Sequence, residues 1–347
     1  MGVLASGPMS APTTDLLRRT LTDLRISVTD RCNLRCTYCM PAELYDGHRF
    51  LPKQEILDFE EIARLVHLFA ALGVRKLRLT GGEPLLRREL DRLVHSLAKI
   101  PGIDDLALTT NGLLLPAQAA GLRAAGLRRL TVSLDALDEK IFGRMNGRGV
   151  PVAEVLAGIS AAEAAGFARI KINAVIERGV NDGEVLRLAE HFRGTGHVLR
   201  FIEFMDVGES NGWKMERVVS AAEIARAIDA RFPLEPLQRE RDPETALRYR
   251  YRDGAGEIGI IASVTRPFCG ACSRSRLSAK GELFTCLFAA RGLDLRALLR
   301  GGATDAEITR ALAQRWGARD DRYSELRAEA GERGESLPKV EMSYIGG

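Results

Sequence analysis

The sequence has no apolar run long enough for a membrane span. Runs such as 65–74 fall well short of the roughly 18 residues required, and His67 interrupts this one. It also lacks a surplus of one charge. Its 50 basic and 46 acidic residues are interspersed and leave a formal charge of +4, so there is no basic stripe for nucleic acid, and a small anionic substrate suits the balance better. No internal repeat or low-complexity segment is present. An export signal is missing too: Arg18-Arg19 is followed by Thr20-Leu21-Thr22-Asp23 rather than an apolar core, and the myristoylation-like start Met1-Gly2-Val3-Leu4-Ala5-Ser6 is a short pattern common by chance. Histidines number only 5, and apart from His48 none lies near a cysteine.

With 347 residues, 46% of them hydrophobic, the chain can bury a substantial core, and its length suggests about two domains. Residues 1–20, rich in Ser, Pro and Thr, read as a flexible extension. Six cysteines without an export signal point to a reducing cytoplasm, where clustered cysteines bind metal or do chemistry rather than form disulfides. Beyond residue 22, β-rich runs at 24–28, 76–79, 105–108, 129–133, 169–175 and 198–201 alternate with helical patterns such as 60–72 and 87–99. This alternation predicts βα units around a parallel sheet. The expected architecture is α/β, an incomplete TIM-type (βα)6 barrel over 21–218 with a smaller α+β domain over 219–328 and a tail over 329–347. Within 219–328, runs at 249–251 and 258–261 suggest a small sheet, and 220–231 a connecting helix.

Each predicted strand is followed by polar or glycine-rich sequence. In order these are the first cysteine loop, Thr80-Gly81-Gly82-Glu83-Pro84, Thr109-Thr110-Asn111-Gly112, Ser133-Leu134-Asp135, Lys171-Ile172-Asn173 and 200–205. In βα barrels the carboxyl ends of the strands converge on one face and carry the chemistry, although a doubly wound sheet would place its ligand there as well.

The six cysteines divide into Cys32/Cys36/Cys39 and Cys269/Cys272/Cys286. Three thiolates can hold three irons of a 4Fe-4S cube, leaving the fourth iron open to a substrate or cofactor. A zinc site completed by His48 is the competing reading, but structural zinc motifs pair their ligands with short spacings on each arm. Near the second group, Arg274 and Arg276 have the i, i+2 spacing that shares one strand face, suited to a phosphate or a purine edge.

The first triplet, with Tyr38 before its last cysteine, resembles the signature of the radical S-adenosylmethionine (SAM) superfamily. The resemblance implies that the open iron chelates SAM, with Tyr38 near the adenine and Gly82, Glu83, Ser133 and Met205 at the cofactor. For Glu83 a carboxylate accepting from an ammonium group fits that role. The sequence 23–33, the segment 200–208, the second triplet with its arginines and the ending Met342-Ser343-Tyr344-Ile345-Gly346-Gly347 narrow the similarity to the GTP 3′,8-cyclase family of molybdenum-cofactor biosynthesis. Membership would imply GTP contacts at Arg25, Arg78, Thr109, Lys171, Arg200, Arg274 and Arg276. It would also imply two 4Fe-4S clusters, and a Gly346-Gly347 tail threaded into the site that helps place Arg25. Conversion of GTP to 3′,8-cyclo-7,8-dihydro-GTP would need a protein reductant, and cyclic pyranopterin monophosphate synthase would take the product. A homodimer is compatible. The rivals are a peptide-modifying maturase, which would need more auxiliary cysteines and neither the arginine pair nor the Gly-Gly end, and a zinc-stabilised binding protein without catalysis.

Overall fold

The computed structural model describes residues 13–238, 244–332 and 339–346. Six parallel strands follow one another in sequence and in space: β1 (Asp23–Ser27), β2 (Lys76–Thr80), β3 (Asp105–Thr110), β4 (Arg129–Ser133), β5 (Lys171–Ile176) and β6 (Val198–Glu203). The sequence-predicted strands match them within a few residues. The C-terminal third adds β7 (Leu234–Leu237), β8 (Leu247–Tyr251), β9 (Glu257–Ile261), β10 (Arg274–Leu277), β11 (Glu282–Phe284) and β12 (Leu293–Asp294).

These later strands lie on both edges of the barrel sheet, giving one twelve-stranded order, β12-β11-β10-β1-β2-β3-β4-β5-β6-β9-β8-β7. β10 runs parallel to β1, and β9 runs parallel to β6. The expected six-stranded array therefore becomes eight parallel strands flanked by antiparallel hairpins, and no ladder closes it among the described residues.

Strand alternation sets the character of the two faces. Leu24, Ile26, Leu77, Leu79, Leu106, Leu108, Leu130, Val132, Ile172 and Phe201 are buried under the surrounding helices. The helix Phe59–Ala71 shows how one of these covers forms. Asp58 and Glu61 make a capping box, and Ile62, Leu65, Val66 and Phe69 put an apolar stripe on the sheet. The intervening positions, including Asp23, Arg25, Lys76, Arg78, Thr109, Arg129, Ser133, Lys171, Asn173 and Arg200, line a cavity instead. In an ordinary closed barrel bulky branched residues fill that interior. Here the lumen is polar.

Residues 13–20 correct one expectation. Thr14 bridges Thr20, and Asp15 and Arg19 are buried, so this stretch is packed against the body of the protein. Residues 1–12 lie outside the described residues.

Candidate active site

The first cysteine loop leaves the carboxyl end of β1. Its backbone is pinned from two sides: Arg35 and Thr37 N–H groups donate to the Asn146 and Met145 carbonyls, while Gly82 and Glu83 N–H groups donate to Thr29 and Arg31. The glycines of 81–82 serve this approach. A Cβ on Gly82 would run into the Arg31 carbonyl, and one on Gly81 into Thr29, so their smallness is used against the cysteine loop itself. Burial pushes the Cys32 thiol up to about 11 and Cys39 to about 12, and holds Cys36 far above the usual range; Cys36 also feels Cys32 and Cys39. Thiols in that position become ligands only when a metal takes the place of the proton.

The donor set distinguishes cluster from single ion. Among the described residues no group of three His, Cys, Asp or Glu side chains converges closely enough to hold one metal ion. His48 is exposed and packs against Tyr45 and Phe50. All six cysteines are free thiols facing one cavity of about 1080 Å3, three at each end of it. Three thiols grouped at each end, without a fourth protein ligand beside them among the described residues, fit three irons of a cube.

Around the first triplet the surroundings are acidic. Glu83 is buried, and its carboxylate accepts from Leu85 N (3.0 Å), Thr110 Oγ1 (2.7 Å) and Asn111 N (2.8 Å); burial outweighs those donors and raises it to about 7. Tyr38 donates to Asp135 Oδ2 at 2.9 Å, while Val175 N donates to Oδ1. Burial lifts Asp135 to about 6. Ser133 and Met205 line the same cavity, Ser133 without capping a helix and Met205 outside the core.

Deeper in the lumen the side chains turn cationic. Strand register places Arg276, Arg25 and Arg78 side by side on β10, β1 and β2. Arg78 donates to Thr109 (2.9 Å) and Thr131 (3.1 Å), and Arg200 to Asn173 (2.9 Å). Among the described residues none of Arg25, Arg78, Lys171, Arg200, Arg274 or Arg276 forms an ion pair with a carboxylate. Burial first and neighbouring cations second lower Arg25 well below its usual value, Arg78 to about 10, Arg200 and Arg276 to about 9, and Lys171 to about 7.

The second triplet sits at the opposite end. Because β10 is parallel to β1, with Arg274 beside Asp23, Cys272 meets the amino ends of the strands. Barrels ordinarily reserve that end for stability. Burial raises Cys286 to about 12; for Cys272, burial is outweighed by Arg274 and Arg319, which bring it down to about 6. Arg274 also donates to Cys272 Sγ at 3.4 Å. The tail enters between these two ends. Ile345 is fully buried, Gly346 packs on Thr80 and Ser27 with φ +73°, and Arg276 Nη1 donates to the Gly346 carbonyl. Thus the arginine that the tail is described as bonding is Arg276, whereas the expected partner was Arg25; Gly347 lies outside the described residues.

Sequence reasoning passed over Asp135, Thr131, Asn173, Asp15, Arg19 and Arg319. Asp135 and Asn173 carried a legible signal, since each shares a strand-end face with a predicted site residue, Ser133 and Lys171. The others orient a neighbour across the fold, which no local pattern encodes.

A family profile described as "Radical SAM superfamily" matches residues 26–192, and one described as "Molybdenum Cofactor Synthesis C" matches residues 197–325. The profiles thus meet at the start of β6. A GTP 3′,8-cyclase of Acidothermus cellulolyticus is 54% identical, covering 98% of this chain and all of that protein. One from Xanthomonas axonopodis pv. citri is 53% identical over 98% of this chain and all of its own length, and one from Staphylococcus saprophyticus is 44% identical over 96% and 98%. Among solved structures, Streptococcus suis SuiB bound to S-adenosylmethionine superposes with a TM-score of 0.60 at 16% identity, covering 89% of this chain and 69% of that one, which is likeness of fold. A radical SAM barrel, a molybdenum-cofactor synthesis region and near full-length identity above 40% place this chain in the GTP 3′,8-cyclase family.

Proposed function

We propose that the protein is a lyase that cyclises GTP between C3′ and C8 of the same nucleotide. The observation that carries this reading is the row of cavity-lining cations between two cysteine triplets, Arg276 buried and Arg25, Arg78, Lys171, Arg200 and Arg274 half-buried, which destabilise one another. Cations that depress one another's proton affinity form a preorganised positive field, which a triphosphate discharges. The acidic end, with Glu83 and Asp135, suits the positively charged sulfonium and ammonium of SAM.

Cys32, Cys36 and Cys39 would hold one 4Fe-4S cluster, and Cys269, Cys272 and Cys286 a second. When bound, the first supplies the electron that splits SAM into methionine and the 5′-deoxyadenosyl fragment that takes the C3′ hydrogen. The residues of the chain do the rest by placement. Tyr38 and Asp135 fix one wall of the cofactor space, and Glu83 keeps a lone pair on Oε2 for an ammonium group. Arg25, Arg78, Lys171 and Arg200 anchor phosphates, with Thr109 holding Arg78 and Asn173 holding Arg200. Arg274 and Arg276 face the guanine at the second triplet, and the tail keeps Arg276 aimed. Such anchoring turns the C3′ hydrogen toward the cofactor end and holds C8 within bonding range of C3′. A hydrogen leaves C3′, a bond joins C3′ to C8, and an electron and a proton arrive at N7, so the product is an isomer of GTP. A protein reductant would provide the electrons, and the product would pass to cyclic pyranopterin monophosphate synthase.

Anaerobic incubation of iron-reconstituted protein with GTP, SAM and dithionite, followed by mass analysis, tests the reading. A new species with the mass of GTP and stoichiometric 5′-deoxyadenosine are expected. 5′-Deoxyadenosine without a GTP isomer would refute the substrate.

A further inference from the structure

We propose that Asp15, Arg19 and Arg319 form a buried positioning unit for the second cysteine loop, which makes residues 13–20 part of the site that holds the second cluster. The inference rests on the two-cluster reading above.

Asp15 first folds its own turn. Its Oδ1 accepts from Leu17 N (2.9 Å) and Arg19 N (2.8 Å), and Arg18 takes a left-handed φ of 60° to close the bend. That leaves Oδ2 for two guanidinium groups, Arg19 Nε at 2.6 Å and Arg319 Nη1 at 3.2 Å. Each arginine then reaches one end of the Cys269–Cys272 turn. Arg19 Nη1 donates to the Cys269 carbonyl (2.8 Å) and the Asp321 carbonyl (2.7 Å), and Arg319 Nη1 donates to the Cys272 carbonyl (2.7 Å). Trp316 supports both: its ring lies 4.5 Å beneath the Arg319 guanidinium, and its Nε1 donates to the Arg19 carbonyl (3.0 Å). The Asp15, Arg19 and Arg319 side chains are 0%, 2% and 1% exposed.

Two features separate this from ordinary stabilisation. Taking ions out of water costs several kcal/mol each, and apolar residues of similar volume serve stability at least as well. Moreover, both arginines deliver donors to the backbone of cysteines, at the first and last residues of one turn. That is how outer groups fix the spacing of metal-bearing side chains, and losing such partners costs about 10-fold to 100-fold in metal affinity. The effect continues into β10: the Ser273 carbonyl accepts from Thr22 and Asp23 N–H, and Ser273 Oγ donates to Asp23 at 2.7 Å, so the clamped turn also sets Arg274 and Arg276.

The test uses full-length protein with Cys32, Cys36 and Cys39 replaced by Ala, so that only the second site takes up iron. Into it go Asp15→Asn, Arg319→Gln and Arg19→Lys; the last keeps the charge beside Asp15 but cannot span Cys269 and Asp321. Iron content, the electron paramagnetic resonance spectrum of the reduced cluster and its midpoint potential are measured, with the unfolding temperature of iron-free protein alongside. The expected result is a loss of about 10-fold or more in cluster affinity for each variant. In clusters that remain, Asp15→Asn raises the potential and Arg319→Gln lowers it, since one removes negative and the other positive charge. Unchanged iron, spectrum and potential in all three would overturn the proposal. So would iron loss that merely follows a lowered unfolding temperature. If the parent triple-Ala protein binds no iron at all, the two-cluster reading fails instead.

Discussion

The two ends of the lumen hold the same number of thiols in opposite electrostatic company. At the carboxyl end Cys32, Cys36 and Cys39 are all raised by burial, with Glu83 and Asp135 as neighbours, whereas at the amino end burial raises Cys286 but Arg274 and Arg319 draw Cys272 down to about 6. The difference teaches that an equal count of thiols does not give two sites the same surroundings. In the proposed reading an acidic collar would receive a cationic cofactor and a cationic collar an anionic nucleotide, with the shared lumen bringing the two within reach of each other.

The strongest way to break this comparison is to remove one triplet at a time. Cys36→Ala should abolish reductive cleavage of SAM, while Cys272→Ala should leave that cleavage and abolish cyclisation; chromatographic measurement of 5′-deoxyadenosine and the GTP isomer separates the two. Equal loss of both products from both variants would mean the ends are not functionally distinct. Next in size is Arg276→Ala, which should cut cyclisation on the order of 10²-fold while uncoupled SAM cleavage continues. Deleting residues 346–347 should follow it in direction with a smaller loss, because Arg276 stays and only its aim is released. Normal turnover by the shortened chain would detach the tail from the site.

How much of this was written in the sequence depends on the range over which each feature acts. Strands of β1–β6 and the helix Phe59–Ala71 follow from periodicity and capping within a dozen residues, so they were legible. Both cysteine triplets and the Arg274/Arg276 pair were legible for the same reason. The placement of β10 beside β1 was not, since it joins residues about 250 apart, and with it went the second triplet's position at the amino end. Asp15 failed in a similar way: its partners are Arg19 nearby and Arg319 some 300 residues later. The Ser, Pro and Thr content of residues 1–20 suggested a loose end, yet the buried Asp15 and Arg19, with Arg319 and Trp316, dock residues 13–20.

A gentler probe is pH. Burial and the cations Arg200, Arg129 and Arg78 lower Lys171 to about 7, so in the free protein it is charged below that pH and largely neutral above it. A bound triphosphate restores the charge and raises that value. Nucleotide binding should therefore take up a proton and weaken as pH rises from 7 to 8.5, by at most about 1.4 kcal/mol per unit. Calorimetry in two buffers of different ionisation enthalpy measures the uptake, and Lys171→Arg should erase it. The smallest expected effect is Tyr38→Phe, which loses one hydrogen bond to Asp135 and should weaken SAM binding by about 1 kcal/mol without touching GTP affinity. A change in GTP affinity would show that the two collars communicate through more than the substrate.

The pairing of β10 with β1 also orders events during synthesis. β1 is made long before its partner, so its outer edge stays open until residues 274–277 have been made, and Ser27 and Thr80 are covered only once Gly346 has been made. Long-range closures of this kind are slow and come late. The nascent protein therefore has no complete lumen in which a radical could form, and chains arrested before residue 270 should expose β1 to rapid proteolysis, whereas the chain through residue 347 protects it.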